Sequence, residues 1–449
     1  MKERASPVFV FEPGIVAPLQ SPDTGTSHCE HRNLEEIPIH PYRRLLDRAC
    51  RSLRGGSLTI RYWDGARVTY GHGEPQVRLT LKKPSVVPRL LLDPELAFGE
   101  AVMRGDLEIE GRLEDLIDLT ASNAAPLPAV TDRLFAAAAL FSRWRPLSMG
   151  RNRRDVSRHY DLGNDFYARW LDPTMTYSCA YFKTPQDSLE TAQRQKMRHV
   201  LNKLQLAPGE SLLDIGCGWG GIVGTAAREF GAQALGITLS DQQVAWFKDH
   251  QSSPAAANAT SNATSNATGR GEIQLLHYHA LAEQGRKFDK IVSVGMAEHV
   301  GRHRLPGYIR DVRRLLKPDG LGLIHCITSV RAEPTSAWIV KYIFPGGYIP
   351  AFGEIMREMM RQDLVIWDVE NIGPHYALTL DHWAENFERN VEWVEARYGA
   401  EFVRMWRLYL RFSAASFRRE DIYVHQILFS KNKIDTLPLT REHLITPSI

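Results

Sequence analysis

Apolar and polar positions change their period several times along the chain, and each change marks a boundary. A helical start at Leu45, Leu46, Ala49 and Leu53 gives way to alternating runs at residues 57–62, 67–70 and 77–81, broken by Gly and Pro. Leu90–Leu92, Gly105-Asp106-Leu107 and an apolar helix near Leu113–Leu119 follow, and a Pro-containing linker begins at Ala124. This mixture predicts a small α+β domain over residues 42–123. From about residue 159 the pattern alternates helix-like with strand-like segments. Residues 189–206 place Met197, Val200, Leu201 and Leu204 on one helical face until Pro208 and Gly209 stop the run. Short apolar runs at 211–215, 234–239, 290–295 and 320–327 read as buried strands, so the fold class is α/β, a doubly wound, Rossmann-like sheet. After Ser329 comes an aromatic-rich stretch at 338–360. A helix is then predicted over 381–398, with Trp383, Phe387, Val391, Val394 and Tyr398 as its core-facing stripe.

Outside these regions the chain reads differently. Residues 1–41 are rich in Pro, Ser, Thr and Gly, too poor in apolar surface to offset ordering, and are expected to form a flexible tail. Residues 124–158 form a basic linker, with six arginines and one acid between Arg143 and Arg158, a composition suited to anionic head groups or to a solvated face. Residues 258–268 repeat Asn-Ala-Thr three times without an apolar face, the mark of a surface insertion.

The 449 residues exceed one small domain, and 43% apolar with 24% charged residues is an ordinary globular balance. A formal charge of +3 argues against a nucleic-acid partner. Five cysteines without CxxC pairing suggest neither a disulfide framework nor a metal site, and fit a reducing cytoplasm. No run approaches the roughly 18 apolar residues of a spanning helix, so membrane contact is expected to be peripheral.

The chemistry concentrates in Leu212-Leu213-Asp214-Ile215-Gly216-Cys217-Gly218-Trp219-Gly220-Gly221, a glycine-rich turn between a strand and a helix. Gly216, Gly218 and Gly221 satisfy the dinucleotide GxGxxG, but that pattern alone is weak. The second strand ends Gly236-Ile237-Thr238-Leu239-Ser240, without the acid that would hold an NAD ribose. Asp214 two positions before the first glycine instead resembles motif I of S-adenosyl-L-methionine (SAM)-dependent methyltransferases.

Several longer motifs narrow the resemblance. His159-Tyr160-Asp161-Leu162-Gly163-Asn164, Tyr177-Ser178-Cys179-Ala180-Tyr181-Phe182, Gly295-Met296-Ala297-Glu298-His299-Val300-Gly301, Trp338 to Gly347 and Phe417-Arg418-Arg419-Glu420-Asp421-Ile422 together resemble the cyclopropane-fatty-acyl-phospholipid synthase and mycolic acid synthase family. The likeness runs from about residue 42 to 430. It implies a SAM methyltransferase sheet over residues 159–449 with lid-like helical insertions, and a lipid-binding or dimerisation role for 42–123. It further implies transfer of a methylene from SAM across a cis double bond of an unsaturated phospholipid acyl chain, at the inner face of the membrane, by a homodimer. A weakly nucleophilic alkene needs a dry, aligned site, and the carbocation formed on methylation is tolerated by aromatic faces such as Tyr342, Phe344, Tyr348 and Tyr376. Such enzymes are thought to use bicarbonate as the base. By resemblance its partners here are Cys179 and Ile327 through their backbones, with Glu298, His325 and Tyr376 through their side chains. Carried over likewise, SAM contacts fall on Tyr160, Ser178, Gly216, Gly218, Thr238, Gln243 and Gly295. A fatty-acyl methyltransferase giving a methyl or methylene branch shares the first half-reaction and these motifs. The chain departs from relatives in Leu276-His277-Tyr278-His279-Ala280, which lacks the acid expected near adenine, and in Ala297 and Ser413, where relatives often carry Phe and Cys.

Overall fold

The computed structural model describes residues 40–123, 162–251, 269–435 and 437–445. The tail, the arginines of the linker, Tyr160 and the Asn-Ala-Thr tract lie outside the described residues.

The smaller sheet is built by α1 (Pro41–Cys50), β1 (Gly56–Arg61), β2 (Arg67–His72), β3 (Gln76–Leu81), α2 (Val86–Leu92), α3 (Pro94–Arg104), β4 (Leu107–Glu110) and α4 (Leu113–Ser122), with strand order β2-β1-β3-β4. Alternation sends Ile60, Val77 and Leu81 into the core, as the period-two pattern requires. Helix α3 is absent from the periodicity reading, although its punctuation is present. The Asp93 carboxylate accepts from the Leu96 N–H at 3.2 Å, Pro94 takes the first helical position, and Gly105 ends the helix at φ 72°. Gly99 in the middle of the helix, where α3 meets Trp338, masks the pattern.

The larger part continues with α5 (Asn164–Ala168), α6 (Leu189–Lys203), β5 (Ser211–Ile215), α7 (Gly221–Phe230), β6 (Gln233–Thr238), α8 (Asp241–Gln251), β7 (Arg270–Leu275), α9 (Tyr278–Glu283), β8 (Phe288–Val294), α10 (Ala297–Val300), α11 (Leu305–Leu315) and β9 (Leu316–Ser329). It closes with α12 (Ala337–Tyr342), α13 (Phe352–Arg361), β10 (Val365–Asn371), α14 (Gly373–Arg389), α15 (Val391–Arg418), β11 (Ile422–Ser430) and α16 (Glu442–Ile445). The seven strands lie in the order β10-β11-β9-β8-β5-β6-β7. Neighbours from β7 to β9 are parallel, whereas β11 is antiparallel to both β9 and β10. The doubly wound sheet is therefore mixed: its antiparallel edge is made by β10 and β11, neither of which is among the four predicted runs.

The helix expected over 381–398 is two helices. Asn390 separates α14 from α15, and its side-chain amide donates to the carbonyls of Arg169 at 2.8 Å and Asn386 at 3.0 Å. The apolar stripe survives the break: Trp383, Phe387 and Val394 are all buried.

The described residues from Pro41 onward form one compact unit. A Cβ on Gly99 of α3 would lie 2.2 Å from a ring atom of Trp338, so only glycine admits that indole. The Arg404 guanidinium donates to the Met103 carbonyl at 2.6 Å, Lys341 pairs with Glu100 at 2.7 Å, Arg418 pairs with Glu114 at 3.1 Å, and Arg419 pairs with Asp118. The Phe417-Arg418-Arg419 motif thus fastens α15 to α4. Among the described residues, no helix is long and apolar enough to cross a membrane.

Candidate active site

Buried strand β5 runs into the glycine turn and then α7, the arrangement in which backbone can approach a ligand most closely. The N–H groups of Gly216 and Cys217 donate to the Ile237 carbonyl at 3.0 and 3.1 Å, which pins the turn to β6. Gly218 has φ 55°, and a Cβ there would meet nothing within 4 Å because the residue faces a cleft. Ser178, Lys196, Asp214, Gly216, Gly218, Gln243 and Gly295 are among the walls of that cleft, which opens to solvent. Thr238 stands behind them, its hydroxyl donating to Gln243 Oε1. Trp219 Nε1 donates to Asn164 Oδ1 at 2.8 Å, tying the turn to α5. Five of the seven residues expected to contact SAM therefore share one cleft. Thr238 supports it and Tyr160 lies outside the described residues. The segment 276–280 caps α9, with His277 Nδ1 accepting from the His279 N–H at 3.1 Å, and none of its residues lines the cleft.

Two charged cleft residues had no assigned role in the sequence reading. Burial pushes Asp214 up to about 7 and Lys196 down to about 8. Lys196 Nζ donates to Ser178 Oγ at 2.9 Å. Asp214 was visible as the acid of the glycine motif, and the signal of Lys196 was present in the helix pattern: Leu189, Gln193, Lys196, Val200 and Lys203 share one stripe of α6 and all are buried, so polar residues occupy core positions.

A second cluster begins one residue past β8. The Gly295 N–H donates to the His325 carbonyl at 2.8 Å, and Glu298 lies on α10 just beyond. Glu298 Oε1 accepts from the Ile327 N–H at 2.6 Å, whereas Oε2 is buried without a hydrogen-bond partner. Burial raises this carboxyl from 4.5 to about 7. His325 and Ile327 are two apart on β9 and so point to one side of the sheet. His325 Nδ1 is 3.3 Å from the side-chain amide nitrogen of Gln426, its registered neighbour on β11. Burial holds this imidazole well below its ordinary pKa, so it is neutral and carries one ring proton. Gln426 is fully buried and decides which nitrogen bears that proton, a role the sequence did not expose.

Cys179 joins from the other side. It is fully buried, its Sγ lies 3.8 Å from the Ile372 carbonyl, and the Ile372 N–H donates to Val424, which is in register with Ile327. Tyr376 stands one turn along α14 from Ile372, its ring 4.6 Å from Phe417 and 5.8 Å from Trp383. The structure brings Cys179, Ile327 and Tyr376 around the same ends of β9 and β11, with Glu298 bonded to one of them. Of the aromatics expected to face a cation, Phe344 packs near Tyr177 and Tyr409. Tyr342 differs, because its hydroxyl donates to Glu100 of the smaller part at 2.9 Å, and the Tyr348 hydroxyl is likewise bound to Glu354.

Fold, glycine turn and cleft define a SAM-dependent methyltransferase. A family model described as mycolic acid cyclopropane synthetase matches residues 148–427, and one described as a domain of unknown function (DUF7884) matches 45–128. The chain belongs to the mycolic acid cyclopropane synthetase family. It is 36% identical over 403 residues to a "probable fatty acid methyltransferase" of Pseudomonas putida, covering 86% of this chain and 96% of that protein. It is 35% identical over 378 residues to the cyclopropane-fatty-acyl-phospholipid synthase of Escherichia coli K12, covering 82% and 92%. Among solved structures, the mycolic acid cyclopropane synthase CmaA1 complexed with SAH and CTAB superposes with a TM-score of 0.55 at 32% identity, over 62% of this chain and 97% of that one.

Proposed function

We propose that the protein is a cyclopropane-fatty-acyl-phospholipid synthase, acting on cis-unsaturated acyl chains of phospholipids at a membrane surface. The observation that carries this reading is the Glu298 carboxyl: one oxygen on the Ile327 N–H, the other buried and unpartnered, on the helix that follows Gly295, whose N–H bonds the His325 carbonyl two residues before Ile327. Such a grouping suits a small oxyanion, and it has no evident task in a methyltransferase whose acceptor is already nucleophilic.

SAM, as co-substrate, supplies an electrophilic methyl group. The residues of the cleft would hold its methionine and ribose, with Ser178, Gly216 and Gly218 on one side and Gln243, steadied by Thr238, on the other. The half-buried aromatics Tyr177, Phe344 and Tyr376, with buried Trp383 behind them, would exclude water and present ring faces to positive charge developing on the acyl chain. Bicarbonate bound in the second cluster would supply the base that takes a proton from the new methyl. The donor set fits it: a Glu298 carboxyl poised near neutrality, held in place by the Ile327 N–H, can donate or accept through its other oxygen, His325 offers its outer ring nitrogen, and the Cys179 N–H group and Tyr376 complete a polar ring around an otherwise apolar wall. The smaller part and the linker arginines are proposed to meet anionic lipid, and the active form is proposed to be a homodimer.

The test is lipid analysis of a host expressing the chain. A ring and a methylene branch each add CH2 to the acyl chain, but only the branch takes up hydrogen under mild catalytic hydrogenation. The P. putida relative keeps the branched product in view as the second reading. A hydrogenation-resistant product supports the synthase, and a product that takes up hydrogen or a reduced methyl branch rejects it. Depleting bicarbonate from the assay should slow a synthase and leave a simple methyltransferase unaffected.

A further inference from the structure

Helix α6 carries two buried lysines seven residues apart, and they differ in one respect. Lys203, 2% exposed, is matched by carboxylates within the protein: Glu370 at 2.5 Å and Asp368 at 3.4 Å. Lys196, 1% exposed, has no carboxylate paired with it among the described residues, and its one hydrogen bond is to Ser178 Oγ. A buried ammonium without a counter-ion is costly, and the usual resolution is a partner that arrives with the ligand. Lys196 lines the cleft.

The titratable groups facing it are Asp172 and Cys179 on the segment leading into α6, Asp214 on β5 and His325 on β9. Asp172 is already satisfied, accepting from the Thr174 N–H and hydroxyl and the Thr176 N–H. The Cys179 thiol is pushed up by burial and His325 is held neutral, so neither offers a negative charge. Asp214 is the remaining acid in the cleft wall; it forms no salt bridge among the described residues, and Lys196 is the cation that acts on it through space. The cleft thus presents one cation and one acid, each without an internal salt bridge, beside Ser178 and the glycine turn.

That pair is complementary to an amino-acid zwitterion. We infer that Lys196 receives the α-carboxylate of SAM, with Asp214 facing its ammonium. The inference rests on the reading of the cleft as the SAM site and adds a binding residue to it. It also accounts for the hydroxyl of Ser178, which accepts from the lysine and orients it in the cleft wall.

The experiment is calorimetry with two ligands, S-adenosylhomocysteine and its decarboxylated analogue, on the parent, Lys196→Met and Gly218→Val proteins. Both ligands carry the amine and the adenosine, so their ratio isolates the carboxylate. The parent should prefer S-adenosylhomocysteine by about 10- to 100-fold, the scale of a charge-assisted contact. Lys196→Met should abolish that preference while binding the decarboxylated analogue as the parent does. In the parent the preference should also fade above pH 8, as the lysine loses its proton, and Asp214 affects both ligands alike. Equal weakening of both ligands in Lys196→Met, or a preference that survives in it, overturns the inference and leaves the cleft assignment intact. Undiminished binding to Gly218→Val overturns the cleft assignment and the inference with it.

Discussion

Replacing Glu298 by Gln separates two consequences of one buried carboxyl. In the parent, burial moves its pKa from 4.5 to about 7, and at 1.36 kcal/mol per pH unit that displacement amounts to roughly 3 kcal/mol. The folded state binds the proton more tightly than the unfolded chain, so this group's contribution is fully present below pH 4.5, declines as pH rises, and is lost above pH 7. Gln keeps an acceptor for the Ile327 N–H and cannot ionise. Glu298→Gln should therefore be more stable than the parent by about 3 kcal/mol at pH 8, and that margin should shrink to about 1 kcal/mol at pH 5. With an unfolding entropy of about 2.1 cal/mol/K per residue, a chain of 449 residues gains roughly 1 °C in Tm per kcal/mol, so the difference should be about 3 °C at pH 8. Turnover should fall by roughly 100-fold, the scale for a positioned acid–base group. Melting curves of both proteins from pH 5 to 9, beside lipid turnover at fixed SAM, provide the check. A Tm difference that stays flat with pH would show a carboxyl titrating as if solvated, and unchanged turnover would remove Glu298 from the chemistry.

Three further outcomes are expected. Gly218→Val, which places a branched side chain at φ 55° facing the cleft, should abolish S-adenosylhomocysteine binding by calorimetry while far-ultraviolet dichroism stays native; retained affinity contradicts the turn's role. Gln426→Leu removes the group that fixes the His325 ring proton and should lower kcat about 10- to 100-fold with little change in the KM for SAM, whereas parallel loss of both would indicate a packing role only. Gly99→Ala brings about 1 kcal/mol of helix propensity to α3 but sets a methyl against Trp338, where overpacking costs about 1–3 kcal/mol, so denaturant unfolding should show net destabilisation; a stabilised protein would mean the indole moves aside freely.

The parallel core of the larger sheet was legible because its apolar runs are bounded by glycine turns, and β5, β6, β8 and β9 occupy the positions those runs predict. The break at Asn390 was not, since the apolar stripe continues across it and the cause is a side-chain amide reaching Arg169, more than two hundred residues away. Strands β10 and β11 were not legible at all: no strand is predicted at Val365–Asn371 or Ile422–Ser430, and the antiparallel pairing that joins them to β9 is a tertiary property. In the site, the glycine turn announced itself by composition. Lys196 and Gln426 did not, because a buried lysine or glutamine differs from an exposed one only by its tertiary surroundings. Lys196 left a trace in the polar residues along the apolar stripe of α6, while Gln426 acquires its meaning from cross-strand register with His325.

The close fit of Trp338 against Gly99 bears on whether the smaller sheet is a detachable module. The solved cyclopropane synthases MmaA2 and CmaA1 each cover 62% of this chain with 97% of their own length, so a methyltransferase unit of this kind exists elsewhere at that size. Here, cutting the chain after residue 123 would uncover Trp338 and strip Lys341 and Arg419 of their acidic partners Glu100 and Asp118 in the smaller part. Trp338 and Lys341 sit on α12, directly before Phe344 of the aromatic wall. The smaller sheet therefore acts as the abutment for that wall, and a shortened protein should need replacements on α12 and α15 before it holds the same shape.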